Sequence, residues 1–429
     1  MGNKLPRNWV ETELGKVVFS TKGKKPKRLE EYEFEDSVPY LDIKALEYNI
    51  INQYADIESS KQFEKGDIAI VWDGARSGWC SKVYYGSIGS TITALKPKRI
   101  NSNYLYYFLL EKYPFINSTA RGVGIPHVDP TVFWSLHFPF PPLPEQERIA
   151  AKLDALFAQL DKIRIAMDKI PQLLKNFRQQ VLTQAVTGKL TEEWREGKKL
   201  EEWQFQRVEN IADLKPGYAF KSDDFTNQGF QLIRMGNLYN NKLDLGRNPV
   251  FLSDDYPKEI VEKYIVNKND ILLSLTGTKY KRDYGYAIKI STEEQLLVNQ
   301  RILALIPKIN SDFLLYLLRG EGFRDMFFSF ETGGVNQGNV GVKNVATIEL
   351  LIPPIEEQQE IVNRVESLFT KADNIETKYQ TLKRQIDKLP QAILHKAFNG
   401  ELVEQLPTDG DARDLLKEIE KLNRIIKKK

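Results

Sequence analysis

The chain has 429 residues, 41% hydrophobic and 28% charged, with a formal net charge of +3 and a single cysteine. That length allows two to four domains of about 100 to 200 residues with ordinary cores. The absence of any apolar run near 18 residues argues against a membrane span, one cysteine rules out an internal disulfide or a Cys-rich zinc site, and a mildly basic balance permits nucleic-acid binding without announcing it.

The first segment, MGNKLPRNWV, lacks both the apolar core of a secretion signal and the Ser or Thr of a myristoylation site, so a reducing cytoplasm is the expected location. KGKKPKR, residues 22–28, then sets Lys22, Lys24, Lys25, Lys27 and Arg28 in a loop-like composition. GDIAIVWDGARSG, residues 66–78, reads as an apolar strand running into a turn that carries Arg76 and Ser77. Cys80, just beyond, is expected to be a small core hydrophobe. Residues 90–110, STITALKPKRINSNYLYYFLL, give a second apolar strand, a turn and a short helix, and ARGVGIPH, residues 120–127, offers Arg121 beside glycine.

An arm follows. PPLPEQERIAAKLDALF, residues 141–157, returns as PPIEEQQEIVNRVESLF, residues 353–369. Pro142 falls on Pro354, an offset of 212 residues (354 less 142), which holds without a gap to Leu190 over Leu402. Such agreement marks an internal duplication. In the first copy Ile149, Leu153, Leu156, Leu160 and Ile163 are spaced by alternating fours and threes, as are Ile361, Val365, Leu368, Ala372, Ile375 and Tyr379 in the second. That is the period of a coiled-coil seam, and two stripes of one period offer each other a partner. Prolines and a glutamate suit each helix entrance, and Gly188 and Gly400 suit the stops. Pro171 and Pro390 are each expected to kink the arm or to break it into a long helix and a shorter one. The helix before Pro171 spans about 39 Å at about 1.5 Å per residue, close to one turn of B-DNA at about 34 to 36 Å, so the arm has the length of a ruler.

The second half repeats the first more loosely. NDILLSLTGTKYK, residues 269–281, answers residues 66–78, and VNQRILALIPKINSDFLLYLL, residues 298–318, answers residues 90–110. LTGTKYKRDYGY, residues 275–286, and TGGVNQGNVGVKN, residues 332–344, bring Thr276, Lys279, Tyr280, Lys281, Arg282, Asn336, Gln337 and Asn339 to the equivalent places. Arg and Lys fit the major-groove acceptors of guanine, and Asn and Gln fit adenine's donor and acceptor pair. The glycine-rich stretch lacks the G-K-[ST] ending of a phosphate loop and reads as a solvent loop. The tail from Asp411 adds an amphipathic helix with Leu415, Ile419, Leu422 and Ile426, expected to pack back on the arm or to offer a face to a partner.

Catalytic chemistry is not legible. His127, His137 and His395 stand apart from one another and from any Cys or carboxylate cluster, so no metal site or triad is expected. His137 reads as a strand residue and His395 as an arm residue. Asp223 with Asp224, and Asp254 with Asp255, read as turns and caps. No Asn-Pro-Pro-aromatic stretch or dinucleotide fingerprint is present.

On LPRNWV, PPLPEQERIAAKLDALFAQLD, VLTQAVTGKLTEEWR and the second copies PPIEEQQEIV and AILHKAFNGEL, the sequence resembles the DNA specificity subunits of type I restriction-modification systems over essentially its whole length. The resemblance implies an α/β fold: two mixed α/β target-recognition domains separated by an antiparallel pair of long coiled-coil helices, with an internal pseudo-twofold repeat. The domains would be residues 1–142 and 201–353, and the spacer arms residues 143–200 and 354–429, the last with the C-terminal helix. It implies a non-catalytic, sequence-specific DNA-binding subunit that reads a bipartite, asymmetric double-stranded target. The arms would dock two methyltransferase subunits and, through the complex, restriction and translocase subunits. No cofactor is expected on this chain; S-adenosylmethionine, ATP and Mg²⁺ are expected on the partners. A structural coiled-coil scaffold and a stand-alone DNA-modifying enzyme with an unrecognised site are the rival readings.

Overall fold

The apolar runs that the sequence writes twice become the central strands of two sheets with one topology. The computed structural model describes residues 5–82, 85–122, 124–334 and 337–426. It divides into two units, Met1–Asp168 with Gln380–Lys429, and Lys169–Tyr379. In the first, antiparallel strands run in the order Val18–Lys22, Ile92–Pro97, Ile68–Val71, Cys80–Lys82. In the second the order is Ala212–Pro216, Ile302–Pro307, Ile271–Ser274, Ala287–Lys289. The registers match, with Val18 opposite Pro97 and Ala212 opposite Pro307.

The central strands are largely apolar on both faces, as in IAIV at Ile68–Val71 and ILA at Ile302–Ala304, because both faces are covered. Side chains alternate across the sheet. Ile68, Ile70 and Leu95 face a core built with helix Ser102–Ser118, while Ala69, Ile92 and Ala94 face Leu41 and Ile88 of a second sheet. The other unit divides in the same way: Ile271, Leu273, Leu303 and Leu305 pack toward helices, and Leu272, Ile302 and Ala304 toward the second sheet. That second sheet holds a parallel pair in both units, Ser37–Leu41 with Ser87–Ile88 and Phe230–Ile233 with Leu296–Val298. Cys80 is buried, His137 lies on strand His137–Phe140, and His395 on an arm helix.

The first arm breaks where expected, into helices Leu143–Met167 and Ile170–Val186. Pro171 occupies the second position of the new helix, where its missing N–H costs nothing. The second arm does not break. Helix Ile355–Phe398 runs for 44 residues through Pro390, so the arm is not divided there into a long helix and a shorter one. Its last turns are held by burial: Leu394, Ala397 and Phe398 lie in the first unit's core, with Phe398 5.2 Å from Tyr104 and 5.5 Å from Phe108 between ring centroids. Burial of that size offsets the roughly 3 kcal/mol that an interior proline costs.

Each core is therefore built with arm segments from both halves of the sequence. The first unit takes Ile149, Ala150 and Leu153 from its own arm and Leu394, Ala397 and Phe398 from the end of the other copy. The second takes Ile361, Val362 and Val365 together with Val181, Leu182 and Ala185. Four residues of the expected seam, Ile149, Leu153, Ile361 and Val365, thus face the α/β cores. Of the rest, Leu160 and Tyr379 are buried, Leu156 and Leu368 are half-buried, and Ile163 and Ile375 are exposed.

The duplicated helix entrance has a mechanical explanation. Gln146 donates to Pro141 O at 2.8 Å and accepts from Asn101 N at 3.0 Å; Gln358 donates to Pro353 O at 2.8 Å and accepts from Asn310 N at 3.0 Å. Asn101 and Asn310 are themselves the N-caps of the domain helices Ser102–Ser118 and Ser311–Arg319. One amide side chain in each copy thus clamps the arm to its lobe at a fixed angle.

Gly188 and Gly400 follow the helix ends with φ of +79° and +75°, the left-handed conformation that glycine adopts at least cost. A Cβ at Gly400 would also meet Pro6 Cγ at 2.3 Å. Near that point the two ends of the chain meet, with Ala412 N donating to Asn8 O at 3.0 Å. The tail helix Ala412–Ile426 rests on the first lobe rather than on the arm alone. Asn423 donates to Lys16 O at 3.0 Å and accepts from Lys98 Nζ at 2.7 Å, Arg99 pairs with Glu418 at 2.6 Å, and Ile419 is fully buried. Leu415 packs against the same core and Leu422 is exposed; the Ile426 side chain lies outside the described residues.

Candidate nucleic-acid interface

At one end of each central sheet the chain leaves the strands and forms a small ribbon, and most of the candidate residues sit there. In the second lobe the glycine-rich stretch expected to be a solvent loop is a three-stranded ribbon: Thr276–Gly277 pairs with Gln337–Asn339, which pairs with Thr332–Gly334. The first lobe builds the same arrangement from single bridges, Asp73 with His127 and Arg121 with His127. The residue next to each bridge also corresponds, since Val128 N donates to Trp72 O and Val340 N to Leu275 O.

The turn 278–285 of the second lobe is prebuilt. Thr278 N donates to Asp283 Oδ1 at 2.7 Å, Tyr280 N to Glu331 Oε2 at 3.3 Å, and Tyr284 Oη to Glu331 Oε1 at 2.7 Å. Arg324 donates to Gly285 O at 2.7 Å and Arg282 O at 3.1 Å from beneath, and its burial lowers its pKa from the usual arginine value. Burial, then the Glu331 bond, raises the Tyr284 phenol well above its ordinary range. These braces hold Tyr280 and Arg282 at φ of +68° and +51°, a region that non-glycine residues rarely occupy. Tyr280 projects with 76% exposure. Lys279 Nζ donates to Gly333 O at 2.9 Å across the ribbon, and Arg282 pairs with Asp325 at 2.8 Å. Lys281 and Gln337 are exposed, Asn339 is half-buried, and Thr276 is buried within the ribbon. Asn336 lies outside the described residues.

In the first lobe Lys22, at the end of its strand, pairs with Asp73 at 3.5 Å. Arg28 stacks over Phe34 at 3.9 Å and reaches Glu30 at 3.3 Å. Arg76 is paired with Glu47, which lowers that carboxyl's pKa, and Arg121 holds buried Asp129 at 2.5 Å. Ser77, expected at the surface, is instead fully buried, its hydroxyl without a hydrogen-bond partner among the described residues. The turn folds inward there because Asn117 donates to Ser77 O at 2.9 Å. Of the candidate cations, the ammonium groups of Lys24, Lys25, Lys27 and Lys281 are exposed and have no hydrogen-bond or salt-bridge partner among the described residues, which leaves them available to an anion.

The motif Glu suits the dipole of the helix N-terminus by sequence; in the structure both copies, Glu145 and Glu357, are fully buried. Glu357 accepts from Thr191 Oγ1 at 2.7 Å, from Trp203 Nε1 at 2.9 Å and from Arg195. Those donors come from KLTEEWR and the start of the second domain. Glu145 accepts from Asn8 Nδ2 at 3.2 Å, while the Trp9 indole beside it falls short of a hydrogen bond. Burial therefore raises the Glu145 pKa, with Trp9 and Asn8 offsetting only part of the shift. The sequence signal for these braces was present: Glu and Gln recur together in both copies, and so does the tryptophan each approaches.

Two α/β lobes of one topology, each clamped to a helical arm by the same Glu-Gln pair, define a duplicated two-lobe protein. The family model of the type I restriction modification DNA specificity domain matches residues 6–170 and 200–384, and the chain belongs to that family of specificity subunits. It is 26% identical to the type I restriction enzyme MjaVIII specificity subunit of Methanocaldococcus jannaschii over 94% of both chains. It is 29% identical to the StySPI specificity subunit of Salmonella potsdam, over 94% of this chain and 91% of that one. Against the EcoBI specificity subunit of Escherichia coli it is 28% identical, over 93% and 87%. The fold is similar to the crystal structure of the HsdS subunit from Thermoanaerobacter tengcongensis, with a TM-score of 0.65 and 20% identity over 93% of this chain and 98% of that one.

Proposed function

We propose that this specificity subunit reads a bipartite, asymmetric DNA sequence, each lobe engaging one half-site through its ribbon end, while the arms set the distance between half-sites. The observation that carries the reading is the contrast within the repeat. The central sheets, their register and the Gln clamps are the same in both lobes, whereas the exposed ribbon residues differ, as they must if two similar scaffolds are to read different bases. The subunit supplies recognition and not catalysis. The arms, pairing along their apolar stripes as an antiparallel coiled coil about a pseudo-twofold axis, dock two methyltransferase subunits, and restriction and translocase subunits join through them. S-adenosylmethionine, ATP and Mg²⁺ belong to those partners, and the complex works on DNA in the cytoplasm.

The decisive experiment is methylome sequencing of cells carrying this chain with its modification subunit. A split, asymmetric motif with a fixed gap is expected. Methylation by the isolated chain, or equal affinity for every duplex, overturns the reading. Inserting four residues after Asp161 lengthens that helix by about 6 Å, nearly two base-pair steps of about 3.4 Å, and is expected to change the gap. An unchanged gap removes the ruler.

A further inference from the structure

A cleft of about 490 Å³ opens in the second lobe where the parallel strands Phe230–Ile233 and Leu296–Val298 end. Arg234 leaves the first strand; Asn299, Gln300 and Arg301 form the turn after the second; Arg247 comes from the loop that closes the side. Three arginines thus line one concavity, with no Asp or Glu among the described lining residues. None of the three takes part in a salt bridge among the described residues, in contrast to Arg28, Arg76, Arg121 and Arg282. Uncompensated cations converging on a small volume repel one another, an arrangement that a bound anion relieves.

Hydrogen bonds within the chain brace one side of the cleft. Asn237 is buried, accepts from Arg234 N at 2.9 Å, and donates to Asp244 O at 2.8 Å and Arg247 O at 2.9 Å. Arg234 spends one guanidinium N–H on Asn248 O at 2.8 Å. Arg247 and Arg301 are exposed and carry no such duty. The cleft also joins the ribbon directly, because Leu275 N donates to Arg301 O at 3.0 Å and Thr276 begins the ribbon.

The first lobe shows that the fold does not require these arginines. Its parallel pair aligns Leu41 with Ile88 as the second lobe aligns Ile233 with Val298. The residues that follow are Asp42 in place of Arg234, and Gly89, Ser90 and Thr91 in place of Asn299, Gln300 and Arg301. A chemistry present in one lobe and absent from its sister, on the same parallel strand pair, belongs to what that lobe binds.

We infer that this cleft seats the DNA backbone of the second half-site, Arg247 and Arg301 holding phosphates and Gln300 presenting its amide to an adjacent base edge. The inference rests on the reading proposed above and deepens it. The test measures binding of the full-length chain, wild type and variants, to a duplex carrying the site selected from random-sequence DNA, from about 50 to 200 mM salt. The double variant Arg247→Ala with Arg301→Ala is expected to bind about tenfold or more weakly on all sequences, with a salt slope shallower by about 2. The double Lys variant is expected to restore the slope, which distinguishes lost charge from lost fold. Gln300→Ala is expected to relax selection at one position of the second half-site and none of the first. Wild-type affinity and slope in the double Ala variant overturn the cleft assignment alone. Failure of the wild type to prefer the selected duplex overturns the underlying reading, and this inference with it.

Discussion

Glu145 and Glu357 occupy the same position in two copies of one motif, are equally buried, and live in different company. Among the described residues the Glu357 carboxylate has three side-chain donors and is the point where linker, domain and arm are tied together, whereas the Glu145 carboxylate has one, at 3.2 Å. The lesson is that duplication preserves a buried carboxylate as a position while its energetic role follows from which donors the neighbouring chain brings. The continuous stretch from Thr191 to Trp203 serves Glu357, whereas its counterpart around Glu145 is assembled from the two ends of the chain, around Asn8 and Asp409. There Asp409 turns to Arg148 instead, at 2.6 and 2.7 Å, which lowers its carboxyl pKa.

The comparison predicts unequal mutants. Glu357→Gln leaves the buried-side guanidinium of Arg195 without its counter-charge and is expected to cost about 3 kcal/mol in denaturant unfolding. A loss under about 1 kcal/mol would show that the three donors find other partners. Next in size is a contrast of prolines. Pro390→Ala is expected to stabilise by about 2 kcal/mol, because it restores a helix-interior hydrogen bond, while Pro171→Ala, at a helix start, is expected to change little. Equal effects at both sites would mean that the long helix is not continuous in solution.

Smaller still is Glu145→Gln, expected to be neutral or to stabilise by up to about 1 kcal/mol at pH 7, since it removes an under-solvated charge. The sign follows from the raised pKa. Relative to the unfolded chain, the folded state holds this proton more tightly, so the group's contribution is fully present below the ordinary value of 4.5 and is lost as pH rises through the folded pKa. The advantage of the variant should therefore vanish in acid. Asp409 behaves oppositely: its contribution is present above the ordinary 3.8 and is lost as pH falls through its lowered folded pKa. Arg148→Ala is thus expected to destabilise at neutral pH and to converge on the wild type in acid, as followed by thermal melts across pH. The smallest effect belongs to the exposed lysines. Lys24→Ala or Lys25→Ala is expected to leave stability unchanged and to reduce the salt slope of DNA binding by about 1 each.

Repetition made the architecture readable: an ungapped offset across the arms, and matching apolar runs at Ile68–Val71 and Ile271–Ser274, located both lobes and both arms. The basic loops were readable as composition, and the glycine-rich stretch was recognised but misjudged, because short ladder pairing between Gly277 and Gly338 leaves no periodic side-chain signal. The inward turn of Ser77 was equally hidden, since it depends on Asn117, forty residues away. The arginine cleft escaped for a similar reason: Arg234, Arg247 and Arg301 lie in three separate segments that only the parallel strand pair brings together.

By itself the sequence determined that there would be two sister domains and two arms, because hydrophobic periodicity and turn chemistry act over a few residues and are written locally. Tertiary structure alone decided which arm segments complete which core, that the helix survives Pro390, and which cations remain unpaired. Those outcomes depend on burial and on donors arriving from distant parts of the chain, and a local pattern carries no record of either.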